Sequence, residues 1–412
     1  MSESPLLRMS QTQADQAGAD RLAAWGAFLP TAGVDAGLNR SSFSRTTFVG
    51  EEGLSETLPQ TLTASSQGGS QGFGVSWTVL QGGRRFAGLS QAAASLRAAE
   101  RRFDDQQRNV IAAVRREFLG ALQRQELLEL TRTQIADREF ELDIARRRYE
   151  IAAVERTDVL AAQSLLLEAR IRLLSEENQL RNGLRQLVVS MGLPPEAGEG
   201  LVLMGDEGMP DGLPNIGVIV ETAVTSDPEL LALRAERAAA AASLWSSRLS
   251  YLPTISVSFS WGRGQNFGPE DSFWQFDLGD TDRRFGITAS WNLFDGFNRE
   301  VQNARASAAR RQAEEDLRGR RLEIERDIRR FGADIEEHAE TLDLLEQQYA
   351  ISRERLDMQQ ARYRLGTASF LELQDAIGAV QRSENSIIQT RYSYRIAWSN
   401  LAEYMDGRPG SP

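Results

Sequence analysis

Apolar residues in this chain follow two rhythms, one of two residues and one of seven, and each rhythm occurs in both halves. In the first half, Ala32, Val34, Ala36 and Leu38 alternate with Gly33, Asp35, Gly37 and Asn39, and Phe73, Val75, Trp77 and Val79 alternate with Gly74, Ser76 and Thr78. In the second, Ile255, Val257, Phe259 and Trp261 oppose Ser256, Ser258, Ser260 and Gly262, and Phe285, Ile287, Ala289, Trp291 and Leu293 oppose Gly286, Thr288, Ser290 and Asn292. A period of two predicts a strand with one apolar and one polar face. The strands are expected over 32–40, 73–80, 254–262 and 285–293. A half-buried soluble sheet would share this period, but here the polar positions are small and uncharged while the apolar ones are rich in aromatics. That suits strands with lipid on one side and water on the other, with Phe73, Trp77, Phe259, Trp261, Phe285 and Trp291 toward lipid. Residues 41–71, rich in Ser, Thr and Gly without a period, are expected to be a loop.

The seven-residue rhythm fills the segments between. Val114, Ala121, Leu128, Ile135, Leu142 and Tyr149 form one stripe, and Ile328, Ile335, Leu342, Tyr349, Leu356 and Tyr363 its counterpart. The returning segments carry Val159, Leu166, Leu173, Leu180 and Leu187, and Leu373, Val380, Ile387, Tyr394 and Leu401. Sustained heptads with charged flanks predict helices packed as coiled coils. At 1.5 Å per residue, a helix from 84 to 149 would run to roughly 100 Å, far beyond an ordinary globular domain. Its partner over 155–190 is shorter, and a separate polar, Ala-rich helix at 5–27 supplies the missing length. Residues 228–249 do the same in the second half.

These parallels are a duplication. Ser76-Trp77-Thr78-Val79-Leu80-Gln81-Gly82 returns 214 positions later as Ser290-Trp291-Asn292-Leu293-Phe294-Asp295-Gly296, and the offset holds without a gap to the LVVSMG and LAEYMD segments. Upstream, Phe28-Leu29-Pro30-Thr31 matches Tyr251-Leu252-Pro253-Thr254 at an offset of 223. The period is far longer than that of a solenoid. The expected organisation is a first repeat over 1–192 with a helical hairpin at 84–190, an irregular linker at 193–226, a second repeat over 227–407 with a hairpin at 297–405, and a tail at 408–412. The linker reading rests on Pro194, Pro195, Pro210, Pro214 and several glycines, which exclude one continuous helix. Nothing at Met1-Ser2-Glu3 reads as an export signal. The second repeat has residues before Pro228 whose counterparts would precede Met1, so the chain is expected to begin inside a longer one.

Composition narrows the function. A net charge of −11 argues against nucleic acid as a partner. The basic residues are all Arg, there is no Cys, and the single His338 sits among Glu336, Glu337 and Glu340 on a helix face. Nucleophilic and transition-metal chemistry therefore have almost no raw material: neither enzyme activity, cofactor nor metal is expected. No run of 18 apolar residues is present. Arg146-Arg147-Arg148 is a charge run at a hairpin tip, either a solvated face or a surface for another protein.

The Asp227-Pro228-Glu229-Leu230 helix start, Leu252-Pro253-Thr254 and Trp291-Asn292-Leu293-Phe294-Asp295-Gly296 resemble the TolC-type outer-membrane efflux proteins. The hairpin tips add to this: Arg148-Tyr149-Glu150-Ile151 through Asp158, and Arg362-Tyr363-Arg364-Leu365-Gly366-Thr367 through Glu372. The resemblance spans nearly the whole chain and departs at the first tip, where Ala152 stands opposite Gly366. It implies a mainly α fold with a membrane β part, in which each chain gives long coiled-coil hairpins and four strands to a twelve-stranded barrel of a homotrimer. It implies placement in the outer membrane with the helices in the periplasm, and partnership with a periplasmic adaptor protein and an inner-membrane pump. Such a chain is a passive exit duct for efflux or type I secretion. It further implies that acidic residues at the matched positions Asp158, Glu372 and Asp375 line the closed constriction; Tyr363, close to the second tip, is a candidate partner for a carboxylate. On the residues alone, acids at solvated helix starts are the competing reading. The competing class is a soluble structural coiled-coil protein.

Overall fold

The structure is a computed structural model that describes residues 4–50, 57–152, 154–205, 208, 212–267 and 280–405; the expected tail at 408–412 lies outside them. In order, the elements are α1 (Pro5–Gly26), β1 (Thr31–Gly50), β2 (Thr57–Gln81), α2 (Arg84–Glu150), α3 (Arg156–Ser190), a 3₁₀ turn (Pro195–Gly198), α4 (Ile216–Ser226), α5 (Pro228–Leu249), β3 (Thr254–Phe267), β4 (Asp280–Ser290), α6 (Asn298–Arg364) and α7 (Phe370–Met405). The heptad segments thus become helices, and α2 and α6 have the same length of 67 residues. Two compact units divide the chain. A strand unit comprises residues 17–96 and 237–313, and a helical unit comprises 1–16, 97–236 and 314–412.

The strand unit is one antiparallel sheet in the order β1-β2-β3-β4. Val34 pairs with Phe73, Phe73 with Trp261, Val75 with Phe259, Trp77 with Val257 and Phe259 with Phe285. Residues directly opposite across a ladder share a face, so Phe73, Trp77, Phe259, Trp261 and Phe285 lie on one side. Ser76, Ser258 and Gly286 lie on the other. Two expectations are corrected. Residues 41–71 are largely strand, not loop: β1 pairs with β2 from Thr31–Ser76 out to Gly50–Thr57, while β3 joins β2 only from Gln67 onward. The outer stretch is built by main-chain pairing and polar cross-strand contacts such as Thr46 Oγ1 to Thr61 Oγ1 at 3.1 Å. It needs no apolar face, so periodicity carries no signal for it. The fourth strand is also displaced from 285–293: β4 ends at Ser290, and Trp291 and Leu293 lie beyond it.

Both repeats close the strand-to-helix handover alike. The Trp77 indole N–H donates to the Phe28 carbonyl at 2.9 Å, and that of Trp291 to the Tyr251 carbonyl at 3.0 Å. The turn itself uses Gly82 and Gly83 at φ 57° and 81°, and Gly296 and Phe297 at φ 69° and 65°. At Gly82 a side chain is excluded twice over, because a Cβ there would sit 2.6 Å from the Leu252 Cβ and 2.8 Å from the Leu249 carbonyl.

In the helical unit the heptad stripes interlock. Ile324, Ile328 and Ile335 of α6 pack with Tyr394, Ala397 and Leu401 of α7. Nearer the tips, Leu142 and Ala145 of α2 meet Ala162 and Leu166 of α3, and Leu356 and Tyr363 of α6 meet Leu373, Ile377 and Val380 of α7. Each fully buried Leu or Ile contributes about 1.5–3 kcal/mol.

The segment 193–226 is less irregular than expected, since it contains α4. Asn215 caps that helix by accepting from the Gly217 and Val218 N–H groups at 2.9 and 3.4 Å. Ile219 and Ala223 then enter the core beside Ile324 and Leu401. Gly332 makes room for it, as a Cβ there would stand 2.8 Å from the Ile216 Cδ1.

A buried polar knot ties elements of the two repeats together. Arg108 of α2 lies 2.7 Å from Asp227, 2.8 Å from Asp105 and 3.5 Å from Glu403 of α7. Asp227 also caps α5, accepting the Leu230 N–H at 2.9 Å, and is buried. Beside it, Arg320 of α6 lies 2.7 Å from Glu229.

Candidate functional site

The two tips are the same turn built twice. Tyr149 and Tyr363 end their helices with carbonyls that accept from the Ala152 N–H at 2.9 Å and the Gly366 N–H at 3.0 Å. Ala152 has φ 55° and Gly366 φ 75°, so the first tip uses the left-handed conformation without glycine. Thr367 secures the second tip, donating through its N–H and hydroxyl to the Arg362 carbonyl at 2.9 and 3.1 Å. Arg148 joins the tips: it donates to the Tyr363 carbonyl at 2.8 Å, and its guanidinium stacks 4.3 Å from the centre of that ring. The face of an aromatic ring attracts a cation at this range. Tyr149, on the equivalent position of the first tip, is instead exposed.

The acidic residues singled out by resemblance meet different fates. Glu372 completes a capping box: its carboxylate accepts from the Ser369 N–H at 2.8 Å, while its own N–H donates to the Ser369 hydroxyl at 3.2 Å. These hydrogen bonds, the Ser369 N–H foremost, hold the Glu372 carboxyl below the usual range. Asp375 is paired with Arg355 of α6 at 2.7 Å. Asp158 has neither kind of partner among the described residues. The repeat explains why. The counterpart of Ser369 is Glu155, which occupies the cap position of α3 without a side-chain cap bond. A Glu side chain is too long to serve as a cap, so the first tip forms no box and the Asp158 carboxylate is left uncommitted.

Asp158 lines a groove of about 840 Å³ between the tips, with Arg148, Tyr363, Ser369, Phe370 and Gln374. Among the described residues, Tyr363 is not hydrogen-bonded to a carboxylate, and its hydroxyl is buried without a partner. Burial pushes that hydroxyl above the ordinary phenol range, opposed by Arg148 and reinforced by Asp158. Sequence reasoning missed the polar ladder that fixes α2 against α7 behind this groove. Buried Arg138 donates to Gln374 and, at 3.0 Å, to Gln381, and lies 2.9 Å from Glu141. The Ser369-x-x-Glu372 spacing was a legible signal for the capping box; nothing local marks the reach of Arg138 to α7, since Gln374 and Gln381 lie more than 230 residues away.

A duplicated unit of two strands and a long hairpin, with the sheet's aromatics on one face, narrows the comparison with known proteins. The model of the family described as outer membrane efflux protein matches residues 1–193 and 219–407. The chain belongs to the outer membrane efflux protein family. Among its relatives in that family is the alkaline protease secretion protein AprF of Pseudomonas aeruginosa, 24% identical over 319 residues. That match covers 77% of this chain and 64% of the relative, a little under two thirds of its length. The outer membrane protein TolC of Vibrio cholerae is 20% identical, over 76% of this chain and 72% of its own. Of solved structures, the outer membrane protein VceC of Vibrio cholerae superposes with a TM-score of 0.78 over 98% of this chain and 93% of its own, at 16% identity. The outer-membrane channel OprN gives 0.78 over 99% and 88%, at 18% identity. At such identities the superpositions establish the outer membrane efflux protein fold, and the family places the chain in the bacterial outer membrane.

Proposed function

We propose that this chain is one of three identical subunits of a passive exit duct, which serves a tripartite efflux or type I secretion system. The observation that carries this is a four-stranded sheet with one aromatic face and, among the described residues, two unpaired edges. Open edges are not tolerated in lipid. Three copies supply twelve strands, an even number suited to closure. The helices support the same assembly. On α6, Leu344, Ile351 and Met358 form a second seven-residue stripe, 57–68% exposed, and on α3 so do Leu160, Leu167 and Leu174 at 53–66%. Stripes of this kind want neighbouring helices. A soluble rod has no use for the aromatic sheet face.

In this reading the five aromatics and Ile287 face lipid, the serine and glycine face lines the lumen, and the energy comes from an inner-membrane pump joined through a periplasmic adaptor protein. The constriction lies at the tips. Asp158 is its free carboxylate, available to ligands and cations. Glu372 and Asp375 act mainly as cap and ion-pair partners. Light scattering in detergent tests the assembly, with a mass of three chains expected; a stable monomer overturns the duct. Conductance in planar bilayers tests the constriction. Asp158→Asn should lower cation selectivity and block by multivalent cations more than Glu372→Gln or Asp375→Asn. Unchanged selectivity in Asp158→Asn would remove it from the constriction.

A further inference from the structure

The strand unit holds a cavity of about 370 Å³ that the duct reading leaves unused. It lies where strands hand over to helices, lined by Arg84 at the start of α2, by Ser243, Ser246 and Ser250 at the end of α5, and by Asp295 and Arg299 at the start of α6. The duplication provides an internal control for its charges. Counting 214 residues on, Gln81, Arg84, Arg85 and Phe86 correspond to Asp295, Asn298, Arg299 and Glu300.

In the second repeat the cation at the helix start is neutralised from within. Arg299 lies 3.2 Å from Asp295, and Glu300 places an acid in the first turn of α6. The first repeat has Gln81 and Phe86 in place of both carboxylates, and two arginines in place of one. No acid stands in the first turn of α2, although a helix start is already positive and disfavours added cations. Arg85 stacks near Phe28, 5.9 Å from its ring centre. Arg84 has no ion pair or hydrogen bond among the described residues, and its Nε is shut away from solvent without an acceptor. The Ser243 and Ser246 hydroxyls likewise have no partner among them. Asp295, the one carboxylate in the lining, is taken by Arg299, so the cavity keeps an uncompensated positive charge.

We propose that this cavity binds a phosphate group, which supplies at the start of α2 the negative charge that Asp295 and Glu300 supply at the start of α6. The Arg84 guanidinium fork matches a phosphate edge, and the Ser243 and Ser246 hydroxyls donate to its remaining oxygens. Because β2 ends at Gln81, three residues before Arg84, the cavity sits at the level of lipid headgroups on the helix side of the barrel. That level rests on the duct reading; the missing anion does not. A phospholipid headgroup and inorganic phosphate offer the same chemistry.

The test uses the purified full chain in phosphate-free detergent, with phosphatidylglycerol, diacylglycerol or inorganic phosphate added, read by native mass spectrometry and thermal melting. The parent should retain a phosphate-bearing ligand and melt at a higher temperature with it, and diacylglycerol should do neither. Arg84→Gln should weaken retention about tenfold or more, the scale of a lost charged hydrogen bond. Gln81→Asp installs the carboxylate that the second repeat carries, which should pair with Arg85 as Asp295 pairs with Arg299. By lowering the positive charge at the helix start it should reduce the melting shift while the protein stays folded. Retention of phosphatidylglycerol but not inorganic phosphate assigns a headgroup, and the reverse a free anion; both support the site. If neither ligand is retained, or both variants retain it as the parent does, the site is overturned. A parent that binds phosphate yet is monomeric would sink the duct and leave the site standing.

Discussion

Ala152 and Gly366 hold one turn with two residue types, which makes the tips a matched pair at the scale of a single side chain. An L-residue in the left-handed region is strained by about 1–2 kcal/mol, part of which glycine gives back as unfolded-chain entropy. Ala152→Gly should therefore stabilise the first tip by about 0.5–1 kcal/mol, and Gly366→Ala should destabilise the second by a similar amount. Hydrogen exchange in the first turns of α3 and α7 would show it; equal opening in parent and variants would mean that the turn carries no strain. The 214-residue offset sets Ala152 against a tip glycine, but that Ala152 keeps the left-handed turn was not legible and is shown by its φ of 55°. The fate of the acids beside them was only half legible. Ser369 and Glu372 stand at capping-box spacing, whereas the pairing of Asp375 with Arg355 depends on how α6 and α7 set against each other.

At the scale of elements, the knot around Arg108 and Arg320 holds more carboxylates than guanidiniums. Burial, ahead of the opposing arginines, holds Asp105, Glu229 and Glu403 above the ordinary carboxylate range. A raised folded pKa means that these groups take up protons on folding. Their contribution is fullest below the unfolded values of 3.8 and 4.5 and is lost as pH rises through the higher folded ones. Glu372 runs the other way: its contribution is present above 4.5 and fades as pH falls through its depressed folded value. The urea midpoint of the helical unit should accordingly rise on mild acidification, and Glu403→Gln should flatten that rise; an identical pH profile in the variant would place the proton uptake elsewhere. Asp227→Ala removes both a cap and the closest partner of Arg108, at a cost of about 3–5 kcal/mol for a broken buried pair. An unchanged melting temperature would show the knot to be dispensable. None of this was legible, because the sequence marks Asp227 as a helix start and says nothing of a cation brought to it from 119 positions upstream. The helices themselves were legible from their heptads. The outer half of the β1–β2 hairpin and α4 were not, since one is paired without an apolar face and the other follows a proline-rich stretch. For the sheet, Ile287→Arg on the aromatic face should cost about 2–4 kcal/mol of membrane-inserted stability, and Thr288→Arg on the other face far less. Equal tolerance would mean that this sheet is not embedded.

For the whole molecule, the proposed trimer would use the exposed stripes on α3 and α6 as its assembly surfaces. Ile351→Glu and Leu167→Glu should shift detergent-solubilised protein from three chains toward one by light scattering, while circular dichroism keeps the helical content of the parent. A variant that remains fully trimeric would mean that these stripes face something other than a second copy.

The duplication also sets what the duct's narrow end can present to another protein. In the proposed trimer, three chains with two tips each would form a ring of six hairpins, yet the two kinds of hairpin are not interchangeable. One kind carries Ala152 and an uncapped Asp158; the other carries Gly366, the Ser369–Glu372 box and the Arg355–Asp375 pair. A ring-shaped partner with sixfold symmetry would find two alternating grades of contact. Its occupancy should then fill in two steps of three, the second at a different affinity, a pattern that no uniform ring of hairpins could produce.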